Sequence, residues 1–429
     1  MNEELREIII EDLTIIIEAF KKEDEVKLKD ISDHTIDFFT ISEDNYSSSF
    51  AIIVYALAKL VGKSSLKNSK DWFKFKEDVE NELLMALNEI KENHTLKYQE
   101  HIKNILKRIS LIDKKLNKYI TGVLRRSKIK KGSKLLERGI SLGEAADLMG
   151  ISSWELLDYV GSTKLFDKDT TITLSVKERL KDLRKIAKQG HNNIVFDTGT
   201  IISLSSSHTL WILGPLKRYF NSEFYIPFTV EKELIKDSLK SLKFRFEGFQ
   251  IAKLVSEKVL NIKGKEHILD EIEKLSEMVN NIYFSGKRSI NIAHFGELGV
   301  LALAKELNSK LIVLDERTIR LLVEDPDKLK IFLEKKMHKK IRINKGNLEK
   351  FKNYISGLKV IRSVELAVIA YELGLFNKYV KPNIKKIVEV KKMRLELLKS
   401  VLWALKLRGC AVSEAEINNF LKIEGYTPL

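Results

Sequence analysis

The chain has one cysteine, Cys410, and five prolines among 429 residues. A single thiol excludes an intramolecular disulfide framework and any multi-cysteine zinc site. Long apolar runs are missing as well: the longest, such as Phe50 to Leu57, fall well short of a membrane span. The opening Met1-Asn2-Glu3-Glu4 begins an acidic, amphipathic segment without the cationic stretch and apolar core of a signal peptide. A cytoplasmic location and no membrane partner are expected. No proline falls in the first 130 residues, which permits long helices packed as a bundle.

What is present is apolar mass and an excess of positive charge. Hydrophobic residues make up 44% of the chain, enough for real cores and too many for wholesale disorder. The length suits two or three domains. Lys and Arg number 75 against 60 Asp and Glu, a net charge of +15. That balance favours a polyanionic partner, most simply nucleic acid.

Residues 1–130 are predicted to be helical throughout. Leu5, Ile8, Ile9, Leu13, Ile16 and Ala19 repeat at helical spacing, as do Ile52, Tyr55, Ala56 and Leu60. A third helix is expected near Trp72 to Ile90 and a fourth near Tyr98 to Leu124. Nothing in this region suggests chemistry, so it reads as a scaffold or dimerisation module, and a homodimer is allowed. A basic run follows: Arg125, Arg126, Lys128, Lys130, Lys131 and Lys134. It is either a solvated linker or a phosphate-binding stretch.

The next segment, Ser141-Leu142-Gly143-Glu144-Ala145-Ala146-Asp147-Leu148-Met149-Gly150-Ile151-Ser152-Ser153-Trp154-Glu155, has the marks of a helix-turn-helix. Ser141 and Ser152 can each cap a helix, Ala146 permits close approach, and Gly150 supplies the turn. The segment resembles the helix-turn-helix of small prokaryotic antitoxins. Its second helix, about Ser152 to Val160, carries Trp154, Glu155, Asp158 and Tyr159 but no Lys or Arg. That is poor equipment for reading bases, so a protein-binding role weighs as much as a DNA-binding one. Thr170 to Val176 reads as a short alternating strand before a Ser175-capped helix, and Lys185 to Asn193 as a linker.

From Asn192 onward, short apolar strands alternate with helical segments, the pattern of a parallel sheet with crossover helices. Ile194-Val195-Phe196 ends at Asp197 and is followed by a helix expected to run to about Tyr219. Phe224-Tyr225-Ile226 stops at Pro227, before a helix that contains Glu233. Glu297 stands in the first turn of a small-residue helix, and Leu311-Ile312-Val313-Leu314 ends at Asp315. A parallel sheet gathers such positions at one edge, where open α/β sheets place their ligands. Clustered carboxylates repel one another unless a cation neutralises them, and hard oxygen ligands select Mg²⁺ or Mn²⁺. Such ions generate hydroxide and neutralise a phosphodiester during in-line attack.

The ordered set Val195-Phe196-Asp197-Thr198, Ile226-Pro227-x-x-Val230-x-x-Glu233-Leu234, Gly296-Glu297 before Ala302-Leu303-Ala304, and Val313-Leu314-Asp315-Glu316-Arg317 resembles a PIN domain. It is most similar to the VapC-like toxin branch. Leu358 to Ile361, Leu366 to Leu375 and Arg408 to Ser413 resemble that branch's last strand, last helix and closing segment. The resemblance implies a metal-dependent ribonuclease with Asp197, Glu233, Glu297 and Asp315 as catalytic metal ligands. It also implies that Thr198 or Thr200 holds a water or a carboxylate, that Glu316 is a second acid, and that Arg317 contacts phosphate or pairs with an acid. Two insertions depart from the pattern, at about 240–291, mostly helical over Leu260 to Asn281, and at about 324–355. The second carries Lys335, Lys336, Lys339, Lys340 and Arg342, a cationic flap that could steer RNA or simply a solvated face.

The expected architecture is thus an α/β PIN-like domain, a parallel sheet with flanking helices, preceded by an all-α region containing a helix-turn-helix. Its parts are a helical bundle region at 1–130, the helix-turn-helix and linker at 131–190, and the PIN-like domain at 191–429. The expected function is Mg²⁺- or Mn²⁺-dependent cleavage of RNA, regulated or targeted by the antitoxin-like half. Candidate RNA contacts are Arg125, Arg126, Lys128, Lys130 and Lys131 together with the five cations of the flap. Two other readings stay open: a non-cleaving nucleic-acid-binding or ribonucleoprotein-associated adaptor, and a regulator that binds DNA through the helix-turn-helix.

Overall fold

A computed structural model describes residues 3–32, 45–62, 70–116, 119–163, 173–190, 192–264, 268–380 and 387–425. The chain divides into two compact units, residues 1–135 with 148–151, and residues 136–147 with 152–429. The first is helical. Its main helices are α1 (Glu3–Lys21), α2 (Asn45–Val61), α3 (Lys70–Lys91), α4 (Thr95–Leu116) and most of α5 (Tyr119–Glu137). Leu13, Ile16, Phe20, Phe50, Val54, Val79, Leu83 and Ile105 meet in one apolar core, as their helical spacing predicts. The fourth helix is described to Leu116 and residues 119–124 are helical too, in α5; the basic run lies on α5 and not on a linker. Arg125 and Arg126 are exposed there. Lys131, expected as an RNA contact, is 1% exposed; its ammonium donates to the Ser32 carbonyl and lies over the Tyr55 ring.

Near the start of the second unit lies the segment expected as a helix-turn-helix, two short helices joined by a turn. It comprises α6 (Leu142–Met149), whose last two residues fall to the first unit, and α7 (Ser153–Gly161). Gly150 takes φ +57° at the turn, and Ser152 with Glu155 forms a full capping box on α7. Thr170 to Ile172 lie outside the described residues, and 173–175 carry no strand. The stretch expected as a linker is largely the end of α8 (Val176–Gln189), capped by Ser175. Arg179 of α8 is buried, with a two-pronged ion pair to Glu324 and a bond to the Val360 carbonyl.

Five strands form the parallel sheet: β1 (Asn193–Phe196), β2 (Glu223–Pro227), β3 (Asn261–Lys263), β6 (Leu311–Val313) and β8 (Lys359–Ile361). Their order is β3-β2-β1-β6-β8, all pairs parallel. Val195 and Phe196 are fully buried, as in a sheet covered on both faces. The chain leaves β1 toward β2 on one side and returns as β6 on the other. The order therefore reverses at β1, where doubly wound sheets open a crevice. The helix after Asp197 is broken: α9 (Thr198–Ser206) ends at Ser207, His208 turns left-handed, and α10 (Leu213–Phe220) follows a short 3-10 turn.

The first insertion is less helical than expected, because Asn261–Lys263 joins the main sheet as its edge strand. It also contributes α11 (Arg245–Ser256), α12 (Leu269–Val279), β4 (Tyr283–Ser285) and β5 (Arg288–Ser289). Helix α13 (Phe295–Glu306) then leads into β6, and α14 (Arg317–Glu324) leaves it. The second insertion supplies α15 (Pro326–Met337), β7 (Ile341–Ile343) and α16 (Lys345–Tyr354). β7 pairs antiparallel with β4, so the two insertions meet in one small sheet of order β5-β4-β7. Lys335, Lys339, Lys340 and Arg342 are exposed along it, while Lys336 lies over the Phe332 ring. The chain closes with α17 (Ser363–Glu372), α18 (Ile387–Lys406) and α19 (Glu414–Ile423). Among the described residues no helix is long and apolar enough to cross a membrane.

Candidate active site

Four carboxylates converge at the carboxyl edge of the sheet. Asp197 follows β1 and caps α9, its Oδ2 accepting the Gly199 amide at 3.0 Å. Glu233 stands one turn beyond the end of β2, on a π-helical stretch (Lys232–Asp237), and accepts the Thr198 hydroxyl at 2.9 Å. Glu297 is in the first turn of α13 and closes a capping box on the His294 amide at 2.7 Å. Glu316 caps α14, accepting the Ile319 amide at 2.8 Å.

Burial and mutual repulsion set the electrostatics of this edge. Burial, then the charges of Glu233 and Glu316, push Asp197 up to about 7. Glu297 is raised well above the usual carboxylate range by burial, then by Glu316 and Asp197. Burial also raises Glu233, against the hydrogen bonds from Ser153 and Thr198. Buried carboxylates that raise one another, as Glu233 and Glu316 raise Asp197, form the charge pattern a divalent cation relieves.

Asp315 lines the same edge crevice as Gly199 and Glu316, with its carboxylate already hydrogen-bonded. Its carboxylate accepts the Ser363 amide at 2.7 Å, the Ser363 hydroxyl at 2.8 Å and the Cys410 thiol at 3.3 Å. Asp315 thereby ties β6 to the start of α17, and its neighbour Glu316 is the acid coupled to Asp197 and Glu297. Of the two threonines, Thr198 holds a carboxylate, whereas Thr200 donates to the Val313 carbonyl at 3.1 Å. Arg317 is 6% exposed and stacks over Phe332 at 4.4 Å, a packing role in this arrangement.

Three residues at this edge were not singled out as site residues by the sequence. Ser153 of α7 donates its hydroxyl to Glu233, and the Ser141 hydroxyl is hydrogen-bonded to Glu297. His294 pairs through Nε2 with Asp147 of α6 at 3.0 Å. Burial alone would lower His294, but the bond and charge of Asp147 outweigh it and raise the imidazole. The only available signal for the serines was their place at helix starts, which capping already explained.

The helix-turn-helix also packs the edge closed. Leu142 Cδ2 stands 3.7 Å from where a side chain on Gly199 would begin. On α7, Trp154, Leu157 and Val160 are buried, and Gly161 lies so close to the Leu407 carbonyl that a Cβ would sit 2.1 Å from its oxygen. The crevice left among Leu142, Gly199, Glu316 and Gly409 holds about 30 Å³. That admits a water or two and no nucleotide. A roomier cleft of about 620 Å³, lined by Trp211, Phe246 and Phe249, contains a single carboxylate, Glu257, and none of the edge acids.

Residues 193–327 match the family model DUF3368, a PIN domain. Over these residues the chain is similar to a PIN domain. The match spans β1 through the start of α15 and takes in all four edge acids and Asp315. A match of this kind suggests a nuclease. No curated protein and no solved structure matches the chain.

The donor set of the PIN edge fits a hard divalent ion: carboxylates only, repulsive as they stand. Among the described residues, no three edge acids bring oxygens within 4.8 Å of one another; that spacing is met only by Glu89, Glu92 and His94 on the helical unit. His94 is hydrogen-bonded to Glu89 at the end of α3, an ordinary helix terminus. At the PIN edge, the bond from Ser153 accounts for one arm, Glu233, being held by a protein hydroxyl.

Proposed function

We propose that the chain is a Mg²⁺- or Mn²⁺-dependent endoribonuclease whose PIN edge hydrolyses RNA phosphodiester bonds. The observation that carries the reading is the convergence of Asp197, Glu233, Glu297 and Glu316, each buried or coupled to the next, at the switch point of a parallel sheet. These four would hold the ion; Asp315, placed among the ligands from sequence, is read instead as the residue that positions Glu316. A bound divalent ion supplies charge neutralisation and an activated water for in-line attack.

The chain's own residues orient that chemistry. Thr198 fixes the Glu233 carboxylate, and the Gly199 amide fixes Asp197. The Ser363–Asp315 bonds hold the turn after β6 so that Glu316 faces the cluster. Lys335 on α15, Lys339, Lys340 and Arg342 in and before β7, and Arg125 and Arg126 on α5 are exposed cations of the kind an RNA backbone attracts.

The helix-turn-helix belongs to this reading as a regulator of the nuclease. Reading DNA through α7 is disfavoured because Trp154, Leu156, Leu157 and Val160 are buried. Asp158, on the remaining face, is paired with Lys243 and Arg408. The decisive experiment is cleavage of mixed structured RNAs with Mn²⁺ or Mg²⁺, the whole chain against Asp197→Asn. Cleavage that persists in the variant would remove the PIN edge as its source. Absence of cleavage both in the whole chain and in variants with a loosened helix-turn-helix would favour the non-cleaving adaptor.

A further inference from the structure

The helix-turn-helix meets the PIN edge with two kinds of group, and both resemble what a metal-bound RNA would bring. The hydroxyls of Ser141 and Ser153 cover Glu297 and Glu233. The carboxylates of α6 and α7 take the nearby cations: Asp147 accepts His294 at 3.0 Å, while Asp158 accepts Lys243 at 2.6 Å and Arg408 at 2.7 Å. Neither ion pair of Asp158 is deeply buried; Lys243 is 58% and Arg408 43% exposed. Pairs of that kind add little to stability and exchange readily, so structural glue does not explain them well. Their cations are of the type that hold phosphate oxygens, Arg408 as a fork and Lys243 as a point charge.

We propose that α6 and α7 form a substrate-mimicking plug, in which Asp158 occupies Lys243 and Arg408, the cations that bind RNA phosphates when the plug gives way. The proposal rests on the nuclease reading and adds to it a phosphate-binding set and a reason for the acidic character of α7. A reading helix for DNA wants Lys and Arg; α7 instead carries Glu155 and Asp158. An inhibitor that stands in for RNA wants acids. Apolar contacts of Leu142, Leu157 and Val160 hold the plug in place, and the Asp158 carboxylate competes with incoming phosphate.

The test is binding of a fluorescein-labelled uridine 12-mer to the whole chain in EDTA, so that no cleavage intervenes. The variant Asp158→Asn is expected to bind roughly tenfold tighter than the parent, with a steeper salt dependence from the freed cations. Adding Lys243→Met and Arg408→Met to that variant is expected to return affinity to the parent level. Replacing two exposed acids of α12, Asp270→Asn with Glu273→Gln, controls for bulk charge and is expected to change affinity less than threefold. Equal gains in the control, or a gain that survives loss of Lys243 and Arg408, would overturn the plug.

Cleavage with Mn²⁺ is read separately on the same proteins. A released variant that binds RNA tightly yet leaves it intact sinks the nuclease and keeps the plug. Unchanged binding with cleavage present sinks the plug and keeps the nuclease. Thermal melts of all variants guard against misfolding, which asparagine at partly exposed sites is not expected to cause.

Discussion

Asp197→Asn separates a metal-binding edge from an ordinary buried cap. Lifting this carboxyl from 3.8 to about 7 means that its ionised form destabilises the metal-free fold. The sign follows from proton counting: between pH 4 and 7 the folded chain holds a proton the unfolded chain has lost, so stability falls as pH rises. Above pH 7 the cost reaches about 4 kcal/mol. Asparagine keeps the shape and the cap on Gly199, since Asn and Asp cap helices about equally. The variant should therefore melt at the same temperature as the parent near pH 4 and roughly 10 °C higher at pH 8 in EDTA, for the unit that contains the sheet. Mn²⁺ should close most of that gap by stabilising the parent more than the variant. Calorimetry at both pH values, with and without Mn²⁺, is the assay. A variant less stable than the parent at pH 8 in EDTA would refute the picture of mutually repelling acids.

The two neighbouring acids after β6 should behave oppositely. Asp315→Asn is expected to cost about 1–3 kcal/mol of stability by weakening its bonds to Ser363, while Mn²⁺ binding by titration calorimetry survives. Glu316→Gln should lower Mn²⁺ affinity by tenfold or more with a smaller stability cost; the reverse pattern would restore Asp315 as the ligand. Arg362 is wholly buried, paired with Glu365 at 2.7 Å and Glu416 at 2.9 Å. Arg362→Met should cost about 3–5 kcal/mol in denaturant melts because two carboxylates lose their partner. Burial would raise Glu416, but Arg362 outweighs it and brings the carboxyl down to about 2. The pair's contribution, about 3 kcal/mol, is thus present above pH 4.5 and lost as pH falls toward 2, which acid titration of stability in the parent and in Glu416→Gln would reveal. Gly161→Ala should loosen α7, since the added carbon meets the Leu407 carbonyl; faster hydrogen exchange across 153–161 is the expected sign.

Much of the α/β fold was legible because its strands are short apolar runs that end in turn residues. Asn193–Phe196, Glu223–Pro227, Leu311–Val313 and Lys359–Ile361 lie where the runs predict them. Asn261–Lys263 was hidden because a three-residue edge strand carries no alternation long enough to read, and its neighbours are helical. The break at His208 was hidden for a related reason: Ser206 to Thr209 are compatible with helix, and only packing decides that one residue turns left-handed. The pairing of β4 with β7 joins two insertions more than fifty residues apart, a register no local pattern encodes.

At the candidate site the sequence by itself determined which residue types gather: acids placed just after buried strands reach one edge whenever those strands run parallel. It also determined the start of α7 and the turn before it, through Ser152 with Glu155 and the glycine at 150. Only the tertiary structure decided that the Asp315 carboxylate is bonded to the Ser363 amide and hydroxyl, forty-eight residues away in the chain. Only the tertiary structure, too, laid Ser141 and Ser153 against Glu297 and Glu233. Those contacts cross some eighty to one hundred and sixty residues of chain. They arise from apolar faces finding each other, a pairing that no spacing along one element can specify.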